Sequence, residues 1–259
     1  MKAIIFNSGL GNRMGEFTKA FHKCMTPLKN GESILHRQLR LLTEEGIREF
    51  IITVGPFEEQ IRATAALFPD AKFTFVRNDI YDRTNYIYSM FLARDYLDDD
   101  MIVLHGDLVF DRKLVRDMLD CEYKNCATVN FSKPLPEKDF KGRVRDGRVL
   151  EVSVKIFDAD CYAFQPFYKL QKATVSAWVG KVVHFISDGK DKFYAENALN
   201  EIFAALNVRA FDYDGYFIDE IDNAEDRLRV MEEIVKFDEA EASSTSNQPS
   251  VDSNAGEKL

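Results

Sequence analysis

No apolar run in this chain is longer than five residues, the longest being 202–206. Roughly 20 are needed to cross a bilayer, so a transmembrane helix is excluded. A signal-peptide core is also missing, since only Ala3 to Phe6 separates Lys2 from polar Asn7. The chain is therefore expected to stay in the cytoplasm. Cys24, Cys121, Cys126 and Cys161 contain no CxxC pair and match no histidine spacing. Neither a zinc site nor a disulfide framework is expected; the four read as reduced, mostly buried thiols. Positive charge is scarce as well, with 34 basic against 43 acidic side chains and a net charge of −9. Such a balance disfavours nonspecific binding to nucleic acid, whose phosphates need a basic face. What the sequence does have is 46% apolar and 12% aromatic residues over 259 positions, enough for one sizeable core.

The apolar run 2–6 empties into Asn7-Ser8-Gly9-Leu10-Gly11, the pattern of a buried strand ending in a loop. Apolar positions from Ile34 to Ile47 recur at helical spacing, with Ser33 as N-cap and Gly46 as the stop. Strands over 49–54, 72–76 and 101–104 then alternate with helices over 57–67 and 84–97. This order predicts an α/β fold: a Rossmann-like mixed, mostly parallel sheet with helices on both faces. Ligands in such sheets sit beyond the carboxyl ends of the strands, where Gly9 and Asp107 both fall. The second half predicts a helix over 112–119, a strand over 127–131, and a hairpin over 142–154 with Asp146-Gly147 at its turn. Helices over 167–186, 195–206 and 224–237 and a strand over 208–213 complete one domain, 1–237. Residues 238–259, without aromatics and rich in serine, are expected to be a disordered tail.

The loop after the first strand reads Gly9-Leu10-Gly11-Asn12-Arg13-Met14. A dinucleotide fingerprint fails because Met14 replaces the third glycine and the second strand ends in Thr53-Val54-Gly55, with no ribose-binding carboxylate. A phosphate loop of the G-K-[ST] type fails too. Small residues there let backbone amides approach an oxyanion, and Arg13, Lys19, Lys23 and Lys29 face one acid between Asn7 and Lys29. A basic island in an acidic chain is what a triphosphate requires.

Gly9-x-Gly11-x-Arg13-Met14 with Thr18, Lys23 and Pro27-Leu28 resembles the signature of the sugar-phosphate and choline-phosphate nucleotidyltransferases. His22 stands in place of that family's proline. Gly46-Ile47, Val54-Gly55, Gly106-Asp107, Tyr194-Ala195-Glu196 and Glu220-Ile221-Asp222 continue the resemblance over 1–237. It implies Mg²⁺ held by Asp107 and Asp222, and attack of an acceptor phosphate or phosphonate oxygen on the α-phosphorus of a nucleoside triphosphate. Both reactants are anions, so positioning and charge screening supply most of the catalysis. Lys23 is assigned to the α-phosphate and the acceptor, Arg13 to the outer phosphates, and Ser8, Gly9, Gly11 and Asn12 to the nucleotide. The nucleophile is already ionised, so no histidine is required as a base.

The segment from Asn78 to Met90, with Asn85 and Ser89, is similar to that of the bacterial choline-phosphate cytidylyltransferases, which use CTP. Asn85 read alone is a helix cap. Tyr194 and Trp178, with Glu196 for charge, are candidates to hold a cationic acceptor, as are Tyr216 and Phe217. Ile218 occupies the place where choline-type members carry a tryptophan, which leaves aminoethylphosphonate, phosphorylated amino acids, glycerol phosphate and sugar phosphates open. The expected partners are small molecules, with no nucleic acid and no membrane; a homodimer stays open. Rival readings are a UTP- or dTTP-using sugar-1-phosphate nucleotidyltransferase and a non-catalytic regulatory module of the same fold. A glycosyltransferase would need D-x-D, and Asp107 is followed by Leu108-Val109.

Overall fold

A computed structural model of the chain describes residues 1–9, 11 and 19–246. The strands are β1 (Lys2–Asn7), β2 (Glu49–Val54), β3 (Lys72–Arg77), β4 (Met101–His105), β5 (Leu108–Phe110), β6 (Cys126–Asn130), β7 (Lys141–Arg145), β8 (Arg148–Ser153), β9 (Cys161–Leu170), β10 (Arg209–Asp212) and β11 (Ile218–Glu220). Nine of them form one sheet in the order β3-β2-β1-β4-β9-β6-β10-β8-β7, and β7 also pairs with β9. β5 and β11 form a separate antiparallel pair.

β1 lies between β2 and β4 and is buried along nearly its whole length, which explains a continuous apolar run without alternation. Helices cover both faces. On one, α3 (Tyr86–Ala93), α5 (Lys172–Ser187) and α6 (Ala195–Asn200) enclose a core containing Ile87, Met90 and Trp178. On the other, α1 (Ile34–Glu44), α2 (Glu58–Ala65) and α4 (Arg112–Asp120) pack Leu35, Ile61 and Leu114. The predicted caps of α1 are present: Ser33 accepts from the His36 amide at 3.1 Å, and Gly46 turns the chain at φ 91°. Asp146 and Gly147 have φ of 51° and 70°, the left-handed pair a two-residue hairpin turn requires.

The sheet is mixed, as expected, with parallel pairing in β3-β2-β1-β4 and β6–β10. Two expectations are corrected. The helix expected over 167–186 begins only at Lys172, because residues 161–170 form the central strand β9. Pro166 argues against a central strand, yet its neighbourhood is where the β6–β9 register shifts, and an irregular pairing tolerates a missing N–H. The expected tail begins as helix: α7 runs from Ala224 to Ser246. It buries Val230 and Ile234 against Leu28, Ile34 and Phe217, and Asp238 accepts two bonds from buried Arg37 at 2.7 and 2.9 Å.

Candidate active site

A cleft of about 320 Å³ opens beyond the carboxyl ends of β1 and β4. Its floor depends on glycines that admit no side chain. A Cβ on Gly106 would lie 1.7 Å from Asn7 Oδ1, and one on Gly55 2.3 Å from the Ser8 carbonyl. Gly11, at φ 64°, lets the stem of Lys23 pass so closely that a Cβ would stand 2.8 Å from it.

Lys23 belongs to a short 3₁₀ turn, Lys23–Met25, that points its side chain inward. The ammonium is 8% exposed as a residue and donates to Asp107 Oδ2 at 2.6 Å and to Asp222 Oδ1. Burial alone would lower its pKa, but the two carboxylates outweigh burial and hold it above the ordinary lysine value. Asp107 is shifted the other way: burial opposes its charge, and Lys23 still holds it below the usual carboxylate range. Asp222 reaches Asp107 because β11 pairs with β5 in the register Glu220 to Leu108, and the Ile221 amide donates to the Asp107 carbonyl at 3.1 Å. A two-stranded ribbon thus brings together two carboxylates remote in sequence.

Around them stand further acids that the sequence reading did not place in the site. Asp139 lines the cleft, and Glu220 is pushed well above the usual carboxylate range by burial and by Asp107. The donor atoms of His105, Asp107 and Glu220 lie within 4.8 Å of one another, as do those of Asp139, Glu220 and Asp222. Asp107 Oδ1 is buried without a hydrogen-bond partner among the described residues. An orphaned carboxylate oxygen amid further oxygen donors suits a hard divalent cation. Burial holds His105 and His22 down to about 4, so both rings are neutral at pH 7.

The opposite wall is a hydroxyl and amide network. Ser8 Oγ and Ser89 Oγ are 2.5 Å apart, and Asn78 Nδ2 donates to Ser89 Oγ at 3.1 Å and to Thr84 Oγ1 at 3.2 Å. Ser8, Gly9, Gly11, Asn85 and Ser89 all line the cleft. Asn85 also caps α3, accepting from the Tyr86 amide at 2.8 Å. Asn78 is buried at the centre of this network, a placement that no short-range pattern in the sequence specifies. Asn12 and Arg13 lie outside the described residues.

The acceptor candidates separate. Tyr194 stands where the main cleft meets a side pocket of about 210 Å³, and Phe140 and Val154 share that junction. Glu196 lines the side pocket, with Oε1 accepting from Tyr168 Oη at 2.9 Å and Oε2 without a hydrogen-bond partner among the described residues. Burial raises its carboxyl to about 8. Trp178 is a core residue instead: it is fully buried against Tyr168, and its indole N–H donates to the Ala195 carbonyl at 2.9 Å. Phe217 is likewise buried under α7, and Tyr216 donates to Asp117.

Known proteins share this architecture. The chain is 35% identical over 136 residues to a CMP-5′-(3-aminopropyl)phosphonate synthase of Streptomyces rubellomurinus, covering 52% of this chain and 21% of that protein. It therefore spans about a fifth of that relative's length. It is 26% identical over 253 residues to a choline-phosphate cytidylyltransferase of Streptococcus pneumoniae, covering 91% of this chain and 99% of that one. The solved structure of CTP:phosphocholine cytidylyltransferase from Streptococcus pneumoniae superposes with a TM-score of 0.72 at 22% identity, over 89% of this chain and 97% of its own. Residues 3–137, the segment carrying the glycine loop, Lys23 and Asp107, match the model of one family, and this chain belongs to it: the MobA-like NTP transferase domain.

Proposed function

We propose that this chain is a Mg²⁺-dependent cytidylyltransferase. It joins CMP from CTP to a small acceptor that carries a phosphate or phosphonate and a cationic nitrogen, and it releases pyrophosphate. The observation that carries this reading is the buried Lys23 ammonium held between Asp107 and Asp222 beside Gly9 and Gly11. The names of the two relatives, one handling an aminopropylphosphonate and one a choline phosphate, favour CTP and an amino-bearing acceptor.

Amides near Gly9 and Gly11 cradle the triphosphate at the end of β1, with Arg13 assigned to its outer phosphates and Asn12 to the nucleotide. Lys23 pivots from its carboxylates to the α-phosphate, where it offsets charge that builds as the acceptor oxygen attacks and pyrophosphate departs. Asp107 and Asp222 would hold Mg²⁺, which when bound would supply Lewis-acid neutralisation of phosphate oxygens. Ser8, Ser89, Asn78 and Asn85 form the polar wall against the nucleoside. Neutral His105 and His22 take no proton, because a phosphate or phosphonate acceptor arrives ionised. The acceptor's nitrogen lies towards Tyr194 and Phe140, in the side pocket that Glu196 also lines.

Pyrophosphate release tests the reading, with CTP, UTP, dTTP, GTP and ATP crossed against phosphocholine, aminoethylphosphonate, glycerol phosphate, phosphorylated amino acids and sugar 1-phosphates. Activity confined to CTP with an amino-bearing acceptor is expected. Activity with UTP or dTTP and a sugar phosphate would overturn the nucleotide and acceptor assignments.

A further inference from the structure

At the strand ends opposite the cleft, where β6 begins and β9 finishes, two thiols and one ammonium meet. Cys121 ends α4 and Cys126 begins β6, with Sγ atoms 3.9 Å apart. A disulfide needs about 2.05 Å, so the gap must close by roughly 2 Å. Lys169, near the end of β9, is 5% exposed and points its ammonium at Cys121 Sγ, 3.3 Å away. Its other acceptors are the carbonyls of Cys121 at 3.1 Å and Leu119 at 3.2 Å. No carboxylate pairs with Lys169 among the described residues. A buried ammonium without a carboxylate favours an anion in its place, and the Cys121 thiolate is the group positioned to supply one.

We propose that Cys121 and Cys126 form a peroxide-sensitive dithiol, in which Cys121 reacts first and Cys126 resolves it. The order follows from access. Cys121 is half-buried, whereas Cys126 is fully buried and out of reach of a solute. The Cys126 thiol and Lys169 draw the Cys121 pKa down to about 6 against the opposing effect of burial. Cys121 Sγ also lies 3.2 Å from the Met118 carbonyl, a bond the thiol form donates and the thiolate gives up. Cys24 and Cys161 differ on both counts, since both are buried and burial raises both.

The chemistry balances with hydrogen peroxide as oxidant. The Cys121 thiolate attacks one peroxide oxygen and the O–O bond breaks. With one proton taken up, water leaves and Cys121 holds a sulfenic acid. The Cys126 sulfur then attacks the Cys121 sulfur, the S–O bond breaks, and a second water carries off the hydroxyl with the Cys126 proton. The product ties the end of α4 to the start of β6.

The test treats the full chain with hydrogen peroxide and maps it by mass spectrometry after alkylation. The expected result is loss of two of the four free thiols, a mass decrease of two hydrogens, a Cys121–Cys126 cross-linked peptide, and reversal by dithiothreitol. In Cys126→Ser, dimedone should trap a sulfenic acid on Cys121. In folded Lys169→Met, alkylation of Cys121 at neutral pH should slow several-fold, because the thiolate loses the ammonium beside it while its contact with Cys126 remains. Four intact thiols after peroxide, first oxidation at Cys24 or Cys161, or an unchanged alkylation rate in Lys169→Met would each overturn the proposal.

Discussion

Lys23 and Asp222, 199 positions apart, share a buried hydrogen bond in which the ammonium sits among the carboxylates assigned to the metal. One cation thus stands where another is proposed to bind. Nucleotide and metal binding together then require Lys23 to leave its carboxylates for a phosphate.

Lys23→Met should have two separable effects. Turnover should fall by about 10²–10³, the scale of losing one preorganised charge at a transition state. Mn²⁺ binding to the nucleotide-free protein, followed by its paramagnetic resonance, should tighten, because no ammonium competes for Asp107 and Asp222. Unchanged Mn²⁺ affinity together with near-normal turnover would refute both roles.

Asp107→Asn and Asp222→Asn should each weaken divalent-cation binding in isothermal titration and lower turnover. Each also removes one of two counter-charges from a buried ammonium, and breaking a buried pair typically costs 3–5 kcal/mol. Chemical denaturation should therefore show a stability loss below that scale in each variant, because the remaining carboxylate still accepts from Lys23. Metal binding equal to the parent protein in both variants would exclude a shared site.

Glu196 gives a pH signature. Its folded-state value of about 8 lies above the ordinary 4.5, so the folded protein binds the extra proton. The stability this contributes is complete below about 4.5, declines as pH rises towards 8, and is gone above it. Glu196→Gln lacks the titration. The stability difference between parent and variant should shift against the parent by a few kcal/mol across that window, since each pKa unit is worth about 1.4 kcal/mol. Parallel melting curves from pH 5 to 8 would show that the carboxyl is not held neutral.

Gly11→Ala should destabilise the protein by about 1–2 kcal/mol, the cost of a left-handed backbone on a residue with a Cβ. It should also disturb the active site, because the new methyl group meets the Lys23 stem at 2.8 Å. CTP affinity and turnover should both drop. A variant with parental affinity would separate the glycine loop from nucleotide binding.

Local chemistry wrote much of this protein into its sequence. β1, β2 and the caps of α1 follow from short-range patterns, as does the Asp146-Gly147 turn. The glycine loop and Lys23 stand out in the sequence because close approach to an oxyanion, the role proposed for them, needs particular residues at adjacent positions. No described helix is long and apolar enough to cross a membrane, as the short apolar runs already required.

Only the tertiary structure decided the rest, and the reason is range. β9 is hidden by its own burial on both faces and by Pro166, whose missing N–H is tolerated only because the β6–β9 register shifts there. Asp107 and Asp222 meet through the three-residue pairing of β5 with β11, too short to leave a periodic signal. Trp178 and Glu196 sit within a helix-rich segment and read alike as acceptor contacts; packing alone buries the indole in the core and leaves the carboxyl beside a pocket. The tail diverges for the same reason: its polar composition carries no core signal, yet Asp238 extends α7 by closing on Arg37, 201 positions away.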